Sequence, residues 1–357
     1  PRPEVNDAVA RCLTAGIRPV MITGDHPLTA LHIARQLGIS DKGRALVGHE
    51  LANMSVADLE PVTQDISVYA RVAPTDKLHI VQAMQNNGQV VAMTGDGVND
   101  APALKQAHIG VAMGQIGTDV SKEAADMVLL DDNFATIVKA VREGRIIYEN
   151  IRKFIQYILS GNTGEIFVML FAPIFGLPIP LLPIHILWIN LVTDGLPAIA
   201  LGYEPAEKGV KARPPVEPKE GIFSRGLGSR ILFVGCIVGA FSLLSGVLGR
   251  SAGVDQTVWR TMVFTSLTFS QIAFAYASRS VTRSFFATNP LTNGVLLFGV
   301  VLTLLLQLAL IYIPPLQAIF RTTALTGHQL ALCLIGAAGV IVVTEAMKFV
   351  RLKRVRD

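Results

Sequence analysis

Two groups of residues in this sequence have the types and spacing to handle charge. The first is the run TGDGVNDAPAL at residues 94–104, which follows the apolar run Val90, Val91, Ala92 and Met93. A short buried strand delivering two carboxylates, Asp96 and Asp100, onto a glycine-rich turn is a way to hold Mg²⁺ beside a phosphoryl group. Carboxylates and water suit that hard cation, and Gly95 and Gly97 let the backbone come close to an anion. The second group lies in apolar sequence, where polar side chains are costly and each needs a reason. Asn162 and Glu165 are three positions apart, hence on one helix face; Asn190, Thr193 and Asp194, at i, i+3 and i+4, share another. Pro197 cannot donate to the carbonyl four residues back, that of Thr193, and Gly195 weakens the helix between them. Two carboxylates, two amides, a hydroxyl and a freed carbonyl make the all-oxygen set a hard cation prefers, at the kind of broken helix where transporters bind ions. The plainer alternative is a polar helix–helix contact.

The elements that must position these groups divide the chain in two. Its 357 residues are 51% apolar with mean hydropathy +0.47, too apolar for a soluble protein of this size, and the apolar residues concentrate after residue 150. A soluble region followed by a membrane region is expected. The net charge of +4 and pI near 9.0 follow from where the basic residues sit relative to a membrane, so no nucleic-acid partner is expected. Cys12, Cys236 and Cys333 lie far apart and read as inert packing residues. No charged segment leading into an apolar one opens the chain, so no secretory signal is expected at its start.

In the first part, residues 4–15 read as an amphipathic helix stopped by Gly16. Val20 to Ile22 form a strand ending in Thr23, Gly24 and Asp25, and residues 26–37 return as a helix closed by Gly38. The unit recurs: a strand at residues 68–70, a turn, a helix at 76–86 with Lys77 in its first turn, a strand at 90–93 leading to Asp96, a helix from 101 to 106, a strand at 109–113 and an edge strand at 127–130. This rhythm predicts a doubly wound α/β domain with phosphate chemistry at the carboxyl ends of its strands. Arg142, Arg145, Arg152 and Lys153, set among apolar residues at 137–157, mark either a continuous helix carrying motion into the membrane or a simple basic anchor.

Six membrane spans are expected, at residues 151–175, 181–201, 231–248, 258–277, 291–313 and 330–350. Lys208, Lys211, Arg213, Lys219, Arg225 and Arg230 crowd the proline-rich loop at 203–230, Arg279 and Arg283 the next alternate loop, and Arg351, Lys353, Arg354 and Arg356 the tail. That loop, with Pro205, Pro214, Pro215 and Pro218, is expected to lie against the soluble domain. The other connections carry chiefly Arg250 and Arg321, which places both ends of the chain in the cytoplasm. Gln271, mid-span, either supplies a further oxygen or bonds a neighbouring helix, as Gln307 does; Glu345 and Lys348 form an interfacial pair.

TGDGVNDAPAL resembles the hinge motif of P-type ATPases, membrane pumps of the haloacid dehalogenase superfamily, and the stretch at 190–197 resembles the NLVTDGLPA motif of their calcium-transporting branch. The resemblance implies a partial haloacid-dehalogenase-like domain (1–136), a connecting helix (137–150), an all-α six-helix transmembrane domain (151–350) and a basic cytoplasmic tail (351–357). It implies that Thr23 of Thr23-Gly24-Asp25 contacts phosphoryl oxygens, Lys77 steadies a phosphorylated carboxylate, Asp96 binds Mg²⁺, and Asn99 and Asp100 lie at the hinge, Asp100 as a second Mg²⁺ ligand. Asn162, Glu165, Asn190, Thr193 and Asp194 are implied ligands of the transported cation, with Gln271 where some members carry glutamate; one charge fewer puts a second calcium site in doubt. ATP and Mg²⁺ are the implied cofactors and Ca²⁺ the implied cargo, with Mn²⁺ or Na⁺/K⁺ left open.

The family's phosphorylated aspartate lies in a DKTGT string that this chain does not contain. The expected partners are thus an upstream part of the same pump, comprising actuator domain, nucleotide-binding domain and four membrane helices, together with the lipid bilayer of the cell membrane. Alone, the chain is expected not to hydrolyse ATP. A membrane-anchored phosphatase is disfavoured by the missing nucleophile; a passive channel or regulatory fragment is the non-enzymatic alternative.

Overall fold

The computed structural model describes residues 1–40, 43–207, 209, 215–217, 220–281 and 283–356, with side chains as far as residue 351. Lys208, Lys211, Arg213, Lys219, Pro214, Pro218 and the side chains of Lys353, Arg354 and Arg356 lie outside the described residues. The chain forms two compact units, Pro1–Arg145 with Gly209–Glu220, and Ile146–Lys208 with Gly221–Asp357.

The first unit alternates strands and helices: α1 (Pro3–Thr14), β1 (Met21–Ile22), α2 (Pro27–Gln36), β2 (Leu46–Val47), α3 (Gly48–Leu51), α4 (Val56–Asp65), β3 (Val68–Ala70), α5 (Pro74–Asn86), β4 (Ala92–Gly95), α6 (Ala101–Gln106), β5 (Ile109–Met113), α7 (Asp119–Ala124) and β6 (Met127–Leu129). Helix α1 begins where Pro3 fixes the backbone and turns Ala8, Val9 and Cys12 inward. Residues 39–67, to which the sequence patterns assign nothing, hold β2, α3 and α4. Helix α4 is started by a reciprocal cap in which Asp58 N donates to Ser55 Oγ (3.3 Å) and Ser55 N to Asp58 Oδ2 (2.9 Å). Pro61 inside it reads as a breaker in sequence, yet the cap and the buried Leu59 hold the helix.

Among the described residues all strand pairs are parallel, in two three-stranded sheets ordered β1-β3-β2 and β4-β5-β6. Helix α5 serves both sheets: Ile80, Ala83 and Met84 join the cluster around Tyr69 of β3, and Val81 packs with Met93 of β4 and Ile22 of β1. Strand β4 starts two residues later than its apolar run, because its ladder pairs Ala92 with Ile109 through Gly95 with Ala112, which leaves Val90 exposed. The unit closes at Asp132, whose carboxylate accepts from Gln115 N and Ile116 N, both at 2.9 Å. Those donors hold its pKa below the usual carboxylate value.

The second unit is helical. Helix α8 (Phe134–Ile174) runs unbroken for 41 residues, so the expected connecting helix and first span are one element. It is followed by α9 (Pro183–Trp188), a π-helical segment (Ile189–Thr193), α10 (Gly195–Leu201), α11 (Leu227–Ser251), α12 (Gln256–Ala277), α13 (Gly294–Tyr312), α14 (Pro314–Phe320) and α15 (Gly327–Arg356). Among the described residues, five helical stretches are long and apolar enough to cross a membrane: Phe134–Ile174, Pro183–Leu201, Leu227–Ser251, Gly294–Tyr312 and Gly327–Arg351. The expected fourth span forms as the 22-residue α12 but is less apolar, and its surroundings explain why. It packs on α11, α13 and α15, and sixteen of its residues are buried, among them Thr261, Thr265, Ser266, Thr268, Ser270 and Gln271. A helix sheathed by other helices does not depend on its own side chains to match lipid.

Small residues set the spacing in this bundle. A Cβ at Gly235 of α11 would lie 2.4 Å from Thr163 Cβ and 2.8 Å from Ser160 O, and one at Gly239 would lie 2.6 Å from Phe167 Cδ1, so α8 seats directly on this glycine face. Gly235→Leu is expected to lower the stability of the detergent-solubilised protein by about 1–3 kcal/mol through overpacking. Cys236→Leu, at the exposed neighbouring position, should leave the melting temperature unchanged; equal melting of the two variants would refute the close approach.

Arg279, expected as a loop charge, is 2% exposed. Its Nε lies 3.1 Å from both Glu204 carboxylate oxygens and its Nη2 2.9 Å from Oε1, while Asn293 Nδ2 donates to Glu204 Oε2 at 2.8 Å. The ion pair fastens the chain after α10 to the α12–α13 connection. Lys348 Nζ meets Glu345 Oε1 at 2.7 Å, the pair expected there.

Candidate functional site

In the first unit the motif residues gather at the carboxyl ends of β1, β3 and β4. Thr23 N donates to Tyr69 O (3.0 Å) and Val72 N to Thr23 O (3.2 Å), so the turn after β1 is stitched to the exit of β3. Within it Asp25 N donates to Thr23 Oγ1 at 3.1 Å, and the Asp25 side chain stays exposed. Helix α5 starts four residues beyond β3, and from its first turn Lys77 Nζ reaches Asp100 Oδ1 at 2.5 Å.

Asp96 and Asp100 are not equivalent. Asp100 is buried: its Oδ2 accepts from Asp96 N (3.2 Å) and Gly97 N (3.1 Å), while its other oxygen holds Lys77. A Cβ at Gly95 would lie 2.5 Å from Asp100 Cβ, so this glycine makes room for Asp100 rather than for a ligand. Of the two carboxylates expected to serve Mg²⁺, Asp100 is engaged by the turn and by Lys77, and Asp96 is the one left exposed. Asp100 shapes the turn and neutralises Lys77, whereas Asp96 presents an exposed carboxylate just past β4. The Asp96 backbone is fixed separately, its carbonyl accepting from Thr118 N (2.9 Å) and Ser121 Oγ (3.1 Å). Thr118 and Ser121 had no signal in the sequence patterns. Asn99 is exposed beside this turn. One free carboxylate on a rigid turn, next to an ammonium, is a donor set that suits a hydrated Mg²⁺, which keeps most of its waters.

In the second unit the predicted polar residues converge from three elements. Gln271 Nε2 of α12 and Asn190 Nδ2 of the π segment each lie 3.4 Å from an oxygen of Glu165 on α8, the former from Oε1 and the latter from Oε2. Asp194 is 2% exposed with neither carboxylate oxygen hydrogen-bonded, and Asn162 Oδ1, Thr193 Oγ1, Gln271 Oε1 and Ser160 Oγ are likewise buried without partners. Buried polar groups are ordinarily satisfied, so these unpartnered oxygens form a set that a cation could complete. A cavity of about 580 Å³ opens beside them, lined by Asn162, Glu165, Ile166, Met169, Ile186 and Asn190 among others.

The helix break differs from expectation. Residues 189–193 widen into a π turn in which Asp194 N donates to Ile189 O at 2.8 Å, and Tyr157 OH donates to the Thr193 carbonyl at 3.0 Å. The carbonyl that Pro197 was expected to free is thus taken by Tyr157, a residue the sequence patterns did not single out. The π turn sets Asp194 against α8, where a Cβ on Gly161 would lie 3.1 Å from its Oδ2, and π turns of this kind are frequent at functional sites. Gln307 accepts from Trp188 Nε1 at 3.2 Å, the neighbouring-helix bond expected of it. His185 is fully buried, its Nδ1 accepting from Leu182 N and its Nε2 facing Phe320 O at 2.6 Å, so both ring nitrogens are engaged away from the cluster.

An α/β unit with exposed and buried carboxylates past its strand ends, and a helical unit whose apolar, membrane-length helices carry a buried oxygen cluster, define a multi-pass membrane protein. Family models agree: haloacid dehalogenase-like hydrolases match residues 1–108 and 76–141, and the C-terminus of cation transporting ATPases matches residues 178–350. The chain belongs to the cation-transporting ATPases. It is 51% identical over 328 residues to a calcium-transporting ATPase of Bacillus subtilis, covering 91% of this chain and 37% of that protein. It is 44% identical over 368 residues to calcium-transporting ATPase 1 of Bacillus cereus (98% and 41%), and 40% identical over 357 residues to the human calcium-transporting ATPase type 2C member 1 (99% and 39%). The chain thus spans about two fifths of the length of the curated relatives it matches.

Proposed function

We propose that the complete protein is an ATP-driven P-type pump exporting Ca²⁺ from the cytoplasm, and that this chain supplies its cation cage and part of its phosphorylation domain. The observation that carries the reading is the Asp194 carboxylate, buried with both oxygens unpartnered beside Glu165, Asn162, Thr193 and Gln271. Two carboxylates balance one divalent ion. Among the described residues the cluster holds no thiolate and no imidazole, which disfavours zinc and copper, and its many neutral oxygens on a π-bulged helix suit the flexible, high-coordination shell of Ca²⁺ better than the tight octahedron of Mg²⁺. Gln271 in place of an acid supports one ion per cycle.

In the first unit, Asp96 would hold Mg²⁺, which supplies charge stabilisation on a transferring phosphoryl group, with Thr23 and Lys77 beside it. Strands β1 and β4 are sheet edges, both end in a Thr-Gly-Asp run, and Ile22 and Met93 share one cluster. A parallel strand from the upstream part of the pump, seated between those edges, would bring the nucleophilic aspartate to Thr23 and Asp96. That upstream part also supplies the nucleotide site, the actuator and four membrane helices. Arg225, Arg230, Arg279, Arg283 and Arg351, on alternate connections or in the helix turns that adjoin them, support a cell-membrane protein with both ends of this chain cytoplasmic.

Inside-out vesicles carrying the complete protein are expected to accumulate calcium when ATP is added. ATP-driven transport of Na⁺ without calcium would overturn the assignment.

A further inference from the structure

We propose that Gly161 sets the size of the cation cage. The proposal rests on reading the buried oxygen cluster as a cation site and adds a residue with no ligand atom of its own. Gly161 lies on α8 next to Asn162 and one turn before Glu165, and it is buried. A Cβ there would lie 2.9 Å from Gln271 Nε2 and 3.1 and 3.4 Å from Asp194 Oδ2 and Oδ1. These three nearest atoms all belong to the proposed ligand residues. The other glycines on this surface differ: a Cβ at Gly164 would meet Val238 Cγ1 (3.0 Å) and Gly235 O (3.3 Å), which is ordinary helix packing. Gly161 is thus a hydrogen atom in the wall of the cage where every other residue would place a methyl group or more.

Two physical points give this consequence. Glycine inside a helix is less favourable than alanine, so the local backbone gains nothing from it. The atoms a Cβ would displace are the ends of side chains, so the carboxylate and the amide would give way rather than the helices. Both would be pushed off Gly161 into the cluster they share with Glu165, which already lies 3.4 Å from Gln271 Nε2, and the space there would shrink. Ca²⁺ needs six to eight oxygens at about 2.3–2.6 Å and suffers most from that; a smaller octahedral ion such as Mn²⁺ suffers less.

The test is Gly161→Ala in the complete, membrane-embedded protein, with ATP-driven transport of Ca²⁺ and of Mn²⁺ measured on one preparation and thermal unfolding recorded without divalent cations. The half-saturating Ca²⁺ concentration is expected to rise about tenfold, that for Mn²⁺ less than about twofold, with an unchanged or higher unfolding temperature. The ratio of the two half-saturation values does not depend on how much protein folds. Equal losses for both ions, no change in either, or a variant that fails to fold would each overturn the proposal. Asp194→Asn, run in parallel, separates this proposal from its premise: unchanged Ca²⁺ dependence in that variant would remove the cation site itself, whatever Gly161→Ala does.

Discussion

Asp194→Ala is expected to raise the half-saturating Ca²⁺ concentration for transport by about two orders of magnitude or more, without destabilising the cation-free protein. The affinity loss follows from charge. With Asp194 gone, one carboxylate, Glu165, would face a divalent ion in a buried site, and breaking a buried charge pairing costs about 3–5 kcal/mol, with roughly 1.4 kcal/mol for each factor of ten. The neutral stability follows from the unpaired oxygens. Both Asp194 carboxylate oxygens are buried, and the one hydroxyl near enough to donate, that of Tyr157, is held by the Thr193 carbonyl, so removing them gives up little hydrogen bonding. Calcium transport unchanged in this variant would remove the cage from the mechanism. A melting temperature well below that of the parent would mean that the carboxylate holds the bundle together instead.

Asp96→Asn is expected to reduce Mg²⁺-dependent phosphorylation of the complete protein by ATP on the order of a thousandfold, while the phosphorylation domain stays folded. The amide keeps the shape and removes the charge that holds the metal, and lost electrostatic stabilisation of a transferring phosphoryl group costs several kcal/mol. Folding should survive because the local structure depends on the Asp96 backbone, through Thr118 and Ser121, and the side chain is exposed. Asp100→Asn is the contrast. It leaves Lys77 without its carboxylate and weakens the caps on Asp96 N and Gly97 N, so it should lower the melting temperature as well. A full phosphoenzyme yield in Asp96→Asn would end the metal assignment, and parent-like melting of Asp100→Asn would contradict the division of labour between the two aspartates.

That division could not be read from spacing. Asp96 and Asp100 stand on the same turn, and a sequence records two carboxylates four residues apart; which of them is free depends on Lys77, 23 residues upstream, arriving from another helix. The partnering of the Thr193 carbonyl was hidden in the same way. Pro197 removes a donor locally, and the reader of a sequence infers a free acceptor, but the donor that replaces it is the hydroxyl of Tyr157, 36 residues away. The polar make-up of α12 is a third case. Its threonines and serines keep it out of the helices apolar enough to face lipid, and only its place among α11, α13 and α15 explains how it is accommodated.

By itself the sequence determined whatever rests on short-range periodicity and on the price of polar groups in apolar surroundings. Strand β3, helix α6 and strand β5 lie at the residues their patterns assign, and Glu165 meets Asn190 and Gln271 across the apolar spans, as the cost of lone polar groups there required. Tertiary structure alone decided the pairing of the strands in two sheets with β1 and β4 at their edges, the commitment of Asp100 to Lys77, and the approach of α8 to Asp194 at Gly161. The reason is range. A pattern along the chain reports what a residue needs, burial or a partner, but the partner is fixed by the packing of elements distant in sequence.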